Sequence, residues 1–236
     1  MWSKNSSFDG GTLSISGISA AALAKDFGTP AFFLDEDAYR SRALAWKNGL
    51  ESEFGENAGT IYYAAKSFIC TAVAQWIAEI GIGIDVCTGG ELAAALAGGI
   101  DPKKIEVHGN NKSVAEIERA VQVGVKTIVM DSLFEIERVA AAAKKHGVRQ
   151  AVMLRLTPGI EAHTHEKIST AHEDVKFGFS IASGAAWSAV EAVTAHPELE
   201  LRGVHCHIGS QIFGADAHEI ATDRLMGFMA KYRDAY

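Results

Sequence analysis

Two short stretches of this chain carry residues suited to covalent chemistry. Tyr63-Ala64-Ala65-Lys66 ends an apolar run, and His207-Ile208-Gly209-Ser210-Gln211-Ile212 follows another far down the chain. A lysine just past a buried strand can form a Schiff base with an aldehyde. A histidine, a glycine and a serine past a later strand can cover a ring and hold a phosphate. Aldehyde, ring and phosphate together point to pyridoxal phosphate. A nucleophilic amine must be neutral, which a desolvated mouth favours, and Tyr62, Tyr63 and Phe68 are the expected walls. A single lysine after a strand is ordinarily solvated, so the reading rests on both stretches together.

Other candidates are more equivocal in isolation. Asp85 either faces the same mouth or helps start the helix that follows Cys87-Thr88-Gly89-Gly90-Glu91. Glu91, three residues after Thr88, reads first as a capping-box residue. His108-Gly109-Asn110-Asn111-Lys112-Ser113 sets a dense group of hydrogen-bonding side chains on one loop. Arg155 interrupts an apolar strand, and a charge there requires a carboxylate or an anionic ligand. The polar stretch from about Thr157 to Ser180 is expected to be a mouth loop, with Lys176-Phe177-Gly178 able to close over a phosphate or a carboxylate. His205 and His207 share a strand face. With His163 and His165 they open the alternative of a zinc or iron site, but no HExxH or CxxC spacing accompanies them and no metal is assigned.

The elements that must position these groups follow from periodicity. Short apolar runs at Ile61–Tyr63, Ile82–Val86, Ile105–Val107, Thr127–Met130, Ala151–Leu156 and Leu201–His207 alternate with amphipathic stretches such as Val73, Trp76, Ile77 and Ile80. Thr88 to Glu91, Ser113 to Glu116 and Ser132 to Glu135 each match the capping box that opens a helix. Six βα units without hairpin signals imply parallel strands covered by helices. Lys66, Asp85, His108, Asp131, Arg155 and His207 all fall at or just past strand C-terminal ends, where a barrel gathers its site. An open doubly wound sheet would carry a glycine-rich fingerprint after its first strand, and none is present. The expected fold is therefore a (β/α)8 barrel truncated after about six strands, occupying residues 36–236. Residues 1–35 form a separate N-terminal segment, Gly- and Ser-rich at first and ending in an extra strand at Ala31–Asp35.

Bulk properties narrow the partners. A net charge of -7 over 236 residues argues against a nucleic-acid groove or an anionic membrane, both of which need clustered Lys and Arg. A small polar substrate fits better. Cys70, Cys87 and Cys206 form no CxxC pair, so a disulfide framework is not expected and the cytoplasm is the default compartment. No stretch reaches the ~18 apolar residues of a membrane span.

Taken in order, these motifs resemble the diaminopimelate decarboxylase family, in the alanine-racemase-like barrel class of pyridoxal-phosphate enzymes. The resemblance runs from Gly28-Thr29-Pro30 through Tyr63 to Lys66, Asp85 to Leu92, His108 to Ser113, the loop from His165 to Gly178, and His207 to Ile212. It implies that Lys66 is the imine lysine, that His207 stacks on the pyridine ring, and that Ser210 binds the phosphate. It also implies that Asp85, Glu91 and Arg155 line the cofactor side. His108, Asn110, Asn111, His165 and Lys176 would belong to the substrate-facing mouth. The implied reaction is decarboxylation of meso-2,6-diaminopimelate to L-lysine, the last step of lysine biosynthesis.

In that family an acidic partner for the pyridine nitrogen, a second phosphate loop and a C-terminal β domain follow the sixth strand, and the site is completed across a homodimer. The chain is thus expected to be the N-terminal part of a longer enzyme, inactive and aggregation-prone alone. The alternatives are an ornithine- or arginine-type decarboxylase, a non-catalytic pyridoxal-phosphate barrel, and a metal-dependent barrel hydrolase.

Overall fold

A computed structural model describes residues 2–56, 58–159, 177–209 and 215–236. The chain opens with three antiparallel strands, β1 (Ser6–Asp9), β2 (Thr12–Ile15) and β3 (Ile18–Ser19). Asp9 pairs with Thr12, so Gly10 and Gly11 form a two-residue turn, and both take the positive φ that such a hairpin requires. Helices α1 (Ala20–Phe27) and α2 (Glu36–Phe54) follow.

Residues Ala31–Asp35 do not form the expected strand. They carry no regular secondary structure and pair with no strand among the described residues, and Phe32 is fully exposed at 105%. Asp35 caps α2 instead, its Oδ1 accepting the Ala38 N–H at 3.0 Å. A strand needs a neighbour's backbone, and the described residues supply none here.

The βα units then run in order: β4 (Tyr62–Ala64), α3 (Thr71–Ile80), β5 (Gly83–Val86), α4 (Gly89–Ala97), β6 (Ile105–Val107), α5 (Val114–Val123), β7 (Thr127–Met130), α6 (Leu133–His146) and β8 (Gln150–Thr157). After the two-residue β9 (Phe179–Ser180), which lies parallel to the end of β8, come α7 (Ala185–Thr194), β10 (Leu199–His205) and α8 (Asp216–Ala235). All six long strands are parallel, in the order β10-β8-β7-β6-β5-β4.

Alternation along the strands separates two faces. On β8, Val152, Leu154 and Leu156 are buried beneath the helices, whereas Ala151, Met153 and Arg155 face the concave side. The helices contribute Ile77, Ile117, Ile136 and Val139, none more than 1% exposed, to the same core as Ile84 and Ile128. At about 25 cal/mol per Å2, burying side chains of this size stabilises by roughly 1.5–3 kcal/mol each.

The sheet is curled, and one contact demonstrates it. His108, just past β6, packs edge-on against His205 at the end of β10 with ring centroids 4.8 Å apart. β7 and β8 lie between those strands, so a flat sheet would hold them about 14 Å apart. The six strands form an arc of a (β/α) barrel, helices outside and C-terminal strand ends converging.

Candidate active site

Convergence creates a cavity of about 350 Å3 lined by Lys66, Asp85, Cys87, His108, Gly109, Asn110, Arg155, Phe177, His205 and His207. Nine of these ten residues, from five different βα units and the loop before β9, sit within two residues of a strand end. A wider hollow of about 570 Å3 opens at the opposite ends of the strands, between Lys103, Lys126, Arg149 and Arg202. It lacks the reactive groups, so the C-terminal mouth is the candidate site.

Lys66 lies in a single 3-10 turn, Ala65–Ser67, directly after β4. Ser67 Oγ donates to Ala64 O at 2.8 Å and holds that turn. Among the described residues Lys66 has no ion pair or hydrogen bond, which leaves its amine available to a ligand. The expected apolar walls are not there. Lys66 is exposed, and Tyr62 projects toward the opposite end, where its hydroxyl accepts from Lys126 Nζ at 2.6 Å. Tyr63 instead donates to Phe68 O at 2.6 Å and packs against Tyr39. The reason is the pleat: adjacent tyrosines on one strand cannot both turn to the mouth.

Asp85 and Cys87 are two apart and share the concave face. The Cys87 thiol donates to Asp85 Oδ1 at 3.9 Å. Burial raises the Asp85 pKa above the ordinary carboxylate value, against the opposing pull of His108 and Lys66. Burial also pushes the Cys87 thiol up, with Asp85 and Glu91 adding to it. Burial lowers His205 to about 3, and electrostatic contributions from His108, Arg155, His207 and Lys66 act in the same direction. His207 is lowered by burial first and then by Lys66 and Arg155. Both rings are therefore neutral at pH 7, the form suited to stacking. β10 ends at His205, so His207 stands beyond the strand, not on it, yet both reach the cavity.

Arg155 lies over the Phe177 ring, 4.8 Å from its centroid, and has no carboxylate within ion-pair distance among the described residues. Glu91 is not a lining residue. Its Oε2 accepts the Cys87 N–H at 2.5 Å while Thr88 Oγ1 accepts the Glu91 N–H, so it braces the end of β5 from behind. Asn111 is exposed and is not a lining residue, whereas His108 and Asn110 are. Ser210, His163, His165 and Lys176 lie outside the described residues.

Gly109 and Phe177 line the mouth within motifs quoted from the sequence, whereas Cys87 lines it without having been given a role there. The i, i+2 relation of Cys87 to Asp85 was the available signal. Only Ser113 and Glu116 complete a reciprocal capping box. Glu135 and Glu91 each reach one residue further back, to the N–H of Asp131 at 2.8 Å and of Cys87. In both cases the helix start is thereby tied to the end of the preceding strand.

A barrel arc whose strand ends gather a lysine, an arginine, neutral histidines and a buried carboxylate defines a class: cofactor-dependent enzymes of the (β/α)-barrel type. Residues 37–236 match the family model described as pyridoxal-dependent decarboxylase, pyridoxal binding domain. The chain belongs to that family, and its cofactor is pyridoxal phosphate. It is 51% identical over 230 residues to the diaminopimelate decarboxylase of Mycobacterium tuberculosis, covering 97% of this chain and 50% of the relative. To the diaminopimelate decarboxylase of Bacillus subtilis it is 40% identical, covering 96% of this chain and 51% of the relative. A crystal structure of diaminopimelate decarboxylase from M. jannaschii in complex with L-lysine superposes with a TM-score of 0.89 at 29% identity, covering all of this chain and 55% of that one. The chain thus spans about half the length of the relatives it matches.

The residues present fit the cofactor. An amine with no hydrogen-bond or ion-pair partner among the described residues, an arginine with no carboxylate partner among them and a neutral imidazole border one cavity. His205 Nδ1, buried and without a hydrogen-bond partner among the described residues, adds a polar atom that a ligand can satisfy.

Proposed function

We propose that this chain is the cofactor-binding part of an enzyme that decarboxylates meso-2,6-diaminopimelate to L-lysine and carbon dioxide, the last step of lysine biosynthesis. The observation that carries the reading is the gathering of Lys66, Asp85, Arg155, His205 and His207 around one cavity, in a chain half identical to a diaminopimelate decarboxylase.

Lys66 would anchor the cofactor through its aldehyde, and its lack of a competing partner among the described residues supports that role. His207, uncharged, would cover one face of the ring. Arg155, over the Phe177 ring, would meet an anionic group. Asp85, beside Lys66, would balance the amine's charge, and the rise in its pKa lets it hold or release a proton nearer neutrality than a surface aspartate. Ser210, by the family resemblance, would bind the phosphate. When bound, pyridoxal phosphate supplies the electron sink for the carbon that loses carboxylate. His108 and Asn110, on the rim, would face the substrate, joined by His165 and Lys176.

We place the enzyme in the cytoplasm as a homodimer. Three free cysteines support a reducing compartment, and no helix among the described residues is long and apolar enough to cross a membrane. The test is carbon dioxide release by the protein at its natural length with meso-diaminopimelate, ornithine and arginine as separate substrates. Release from meso-diaminopimelate alone is expected. Faster release from ornithine or arginine, or none from any of them, would overturn the assignment.

A further inference from the structure

Behind the mouth lies a buried ion pair whose two residues are not part of the cavity lining. Lys112 and Glu135 have side chains only 2% and 6% exposed, with Nζ and Oε1 2.6 Å apart. The ammonium uses its other two protons on Gly109 O at 2.6 Å and Val129 O at 2.7 Å. All three donors are thereby satisfied, the condition under which a buried charge is tolerated. Glu135 spends its second oxygen on the Asp131 N–H at 2.8 Å. Asp131 in turn accepts the Gly178 N–H on Oδ1.

These bonds reach both rims of the cavity. Gly109 and Asn110 line one side, and Phe177, next to Gly178, lines the other and backs Arg155. Val129 is on β7, between them. We infer that Lys112 and Glu135 form a positioning strut that sets the distance between the Gly109-Asn110 rim and the Phe177-Arg155 rim, and so governs how tightly the cofactor is held. This rests on the pyridoxal-phosphate reading of the cavity. Neither residue lines the cavity; each acts through the backbone it grips.

The alternative, that the pair merely stabilises the fold, makes a different forecast. Replacing a buried ion pair by apolar residues of similar volume is often neutral for stability. The double substitution Lys112→Met with Glu135→Leu should then restore any stability lost in Lys112→Met alone. It cannot restore the grip on Gly109 O and the Asp131 N–H. The experiment uses the protein at its natural length: thermal unfolding of the apo forms, and equilibrium titration with pyridoxal phosphate followed by absorbance. The expected result is a double variant that melts near the parent yet binds cofactor about tenfold more weakly or worse, the scale on which loss of a supporting shell is felt.

Should the double variant not fold, Glu135→Gln serves in its place. It preserves volume, but its amide cannot accept from both Lys112 and Asp131, and it should weaken cofactor binding in the same direction. A folded double variant, or Glu135→Gln, binding within about twofold of the parent would overturn the strut while leaving the cofactor site intact. A parent that binds no pyridoxal phosphate at all would overturn both readings, and would be seen before any variant is made.

Discussion

Replacing Gly178 by alanine tests how closely the loop before β9 is fitted to Arg155. Gly178 has φ +77°, and a Cβ there would lie 2.7 Å from Arg155 O and 3.2 Å from Arg155 Cγ. Ordinary contact begins near 3.4 Å, so the end of β8 or the loop must move by about 0.7 Å. Two costs combine: about 1–2 kcal/mol for an L residue in the left-handed region, and about 1–3 kcal/mol for overpacking against backbone. Gly147, at the C-terminal end of α6, separates them. It has φ +64° but nothing within 4 Å of the added carbon, so Gly147→Ala meets the first cost alone. Denaturant unfolding of both variants should show Gly178→Ala losing roughly 2–5 kcal/mol and Gly147→Ala about 1–2 kcal/mol. Cofactor affinity should fall only for Gly178→Ala, because Phe177 and Arg155 shift with it. Equal losses in the two variants, with unchanged cofactor binding, would refute the proposed fit.

Three further outcomes follow from the same geometry. Gly98→Ala places a methyl 2.3 Å from Ala74 Cβ between α3 and α4, so the helices must part, and denaturant unfolding should show a loss of about 2–3 kcal/mol. His205 is held neutral down to about pH 3 by burial and by His108, Arg155, His207 and Lys66, whereas unfolded it protonates near 6.5. The unfolded chain therefore binds more protons between those values, and stability should decline as pH falls from 6.5, by at most about 1.4 kcal/mol per pH unit from this group. Denaturant midpoints from pH 7 to 4 should be flatter in His205→Gln, and an identical slope would exclude the assignment. Thr88→Ala removes the oxygen that accepts the Glu91 N–H and should cost about 1 kcal/mol, read by the same unfolding assay.

Features encoded over a few residues were legible in the sequence. Thr88, Ser113 and Ser132 cap the helices they were expected to open, because a hydroxyl three residues before an acceptor-poor N–H is a local arrangement. The six parallel strands were legible from apolar runs between those caps, and the mouth residues from their places at strand ends. Features that depend on which strands become neighbours were hidden. Lys112 and Glu135 are far apart in sequence and meet only because β6 and β7 pair. The packing of His108 on His205 requires the sheet to curl, which no local pattern specifies. The N-terminal hairpin was missed despite Asp9-Gly10-Gly11-Thr12, a strong turn signal, because its strands are short and largely exposed, without the buried alternation that marks a strand. Ala31–Asp35 erred the other way: its composition suits a strand, but the partner edge is not among the described residues.

The central claim is that Lys66 is the residue to which pyridoxal phosphate becomes attached. Borohydride reduction of the protein isolated with its cofactor, followed by peptide mass mapping, tests it most directly. The account predicts a pyridoxyl group on the peptide containing Lys66 and on no other, and none in Lys66→Ala. A reduced adduct on a different lysine, or an unmodified Lys66 in protein that retains the cofactor's visible absorbance, would contradict it.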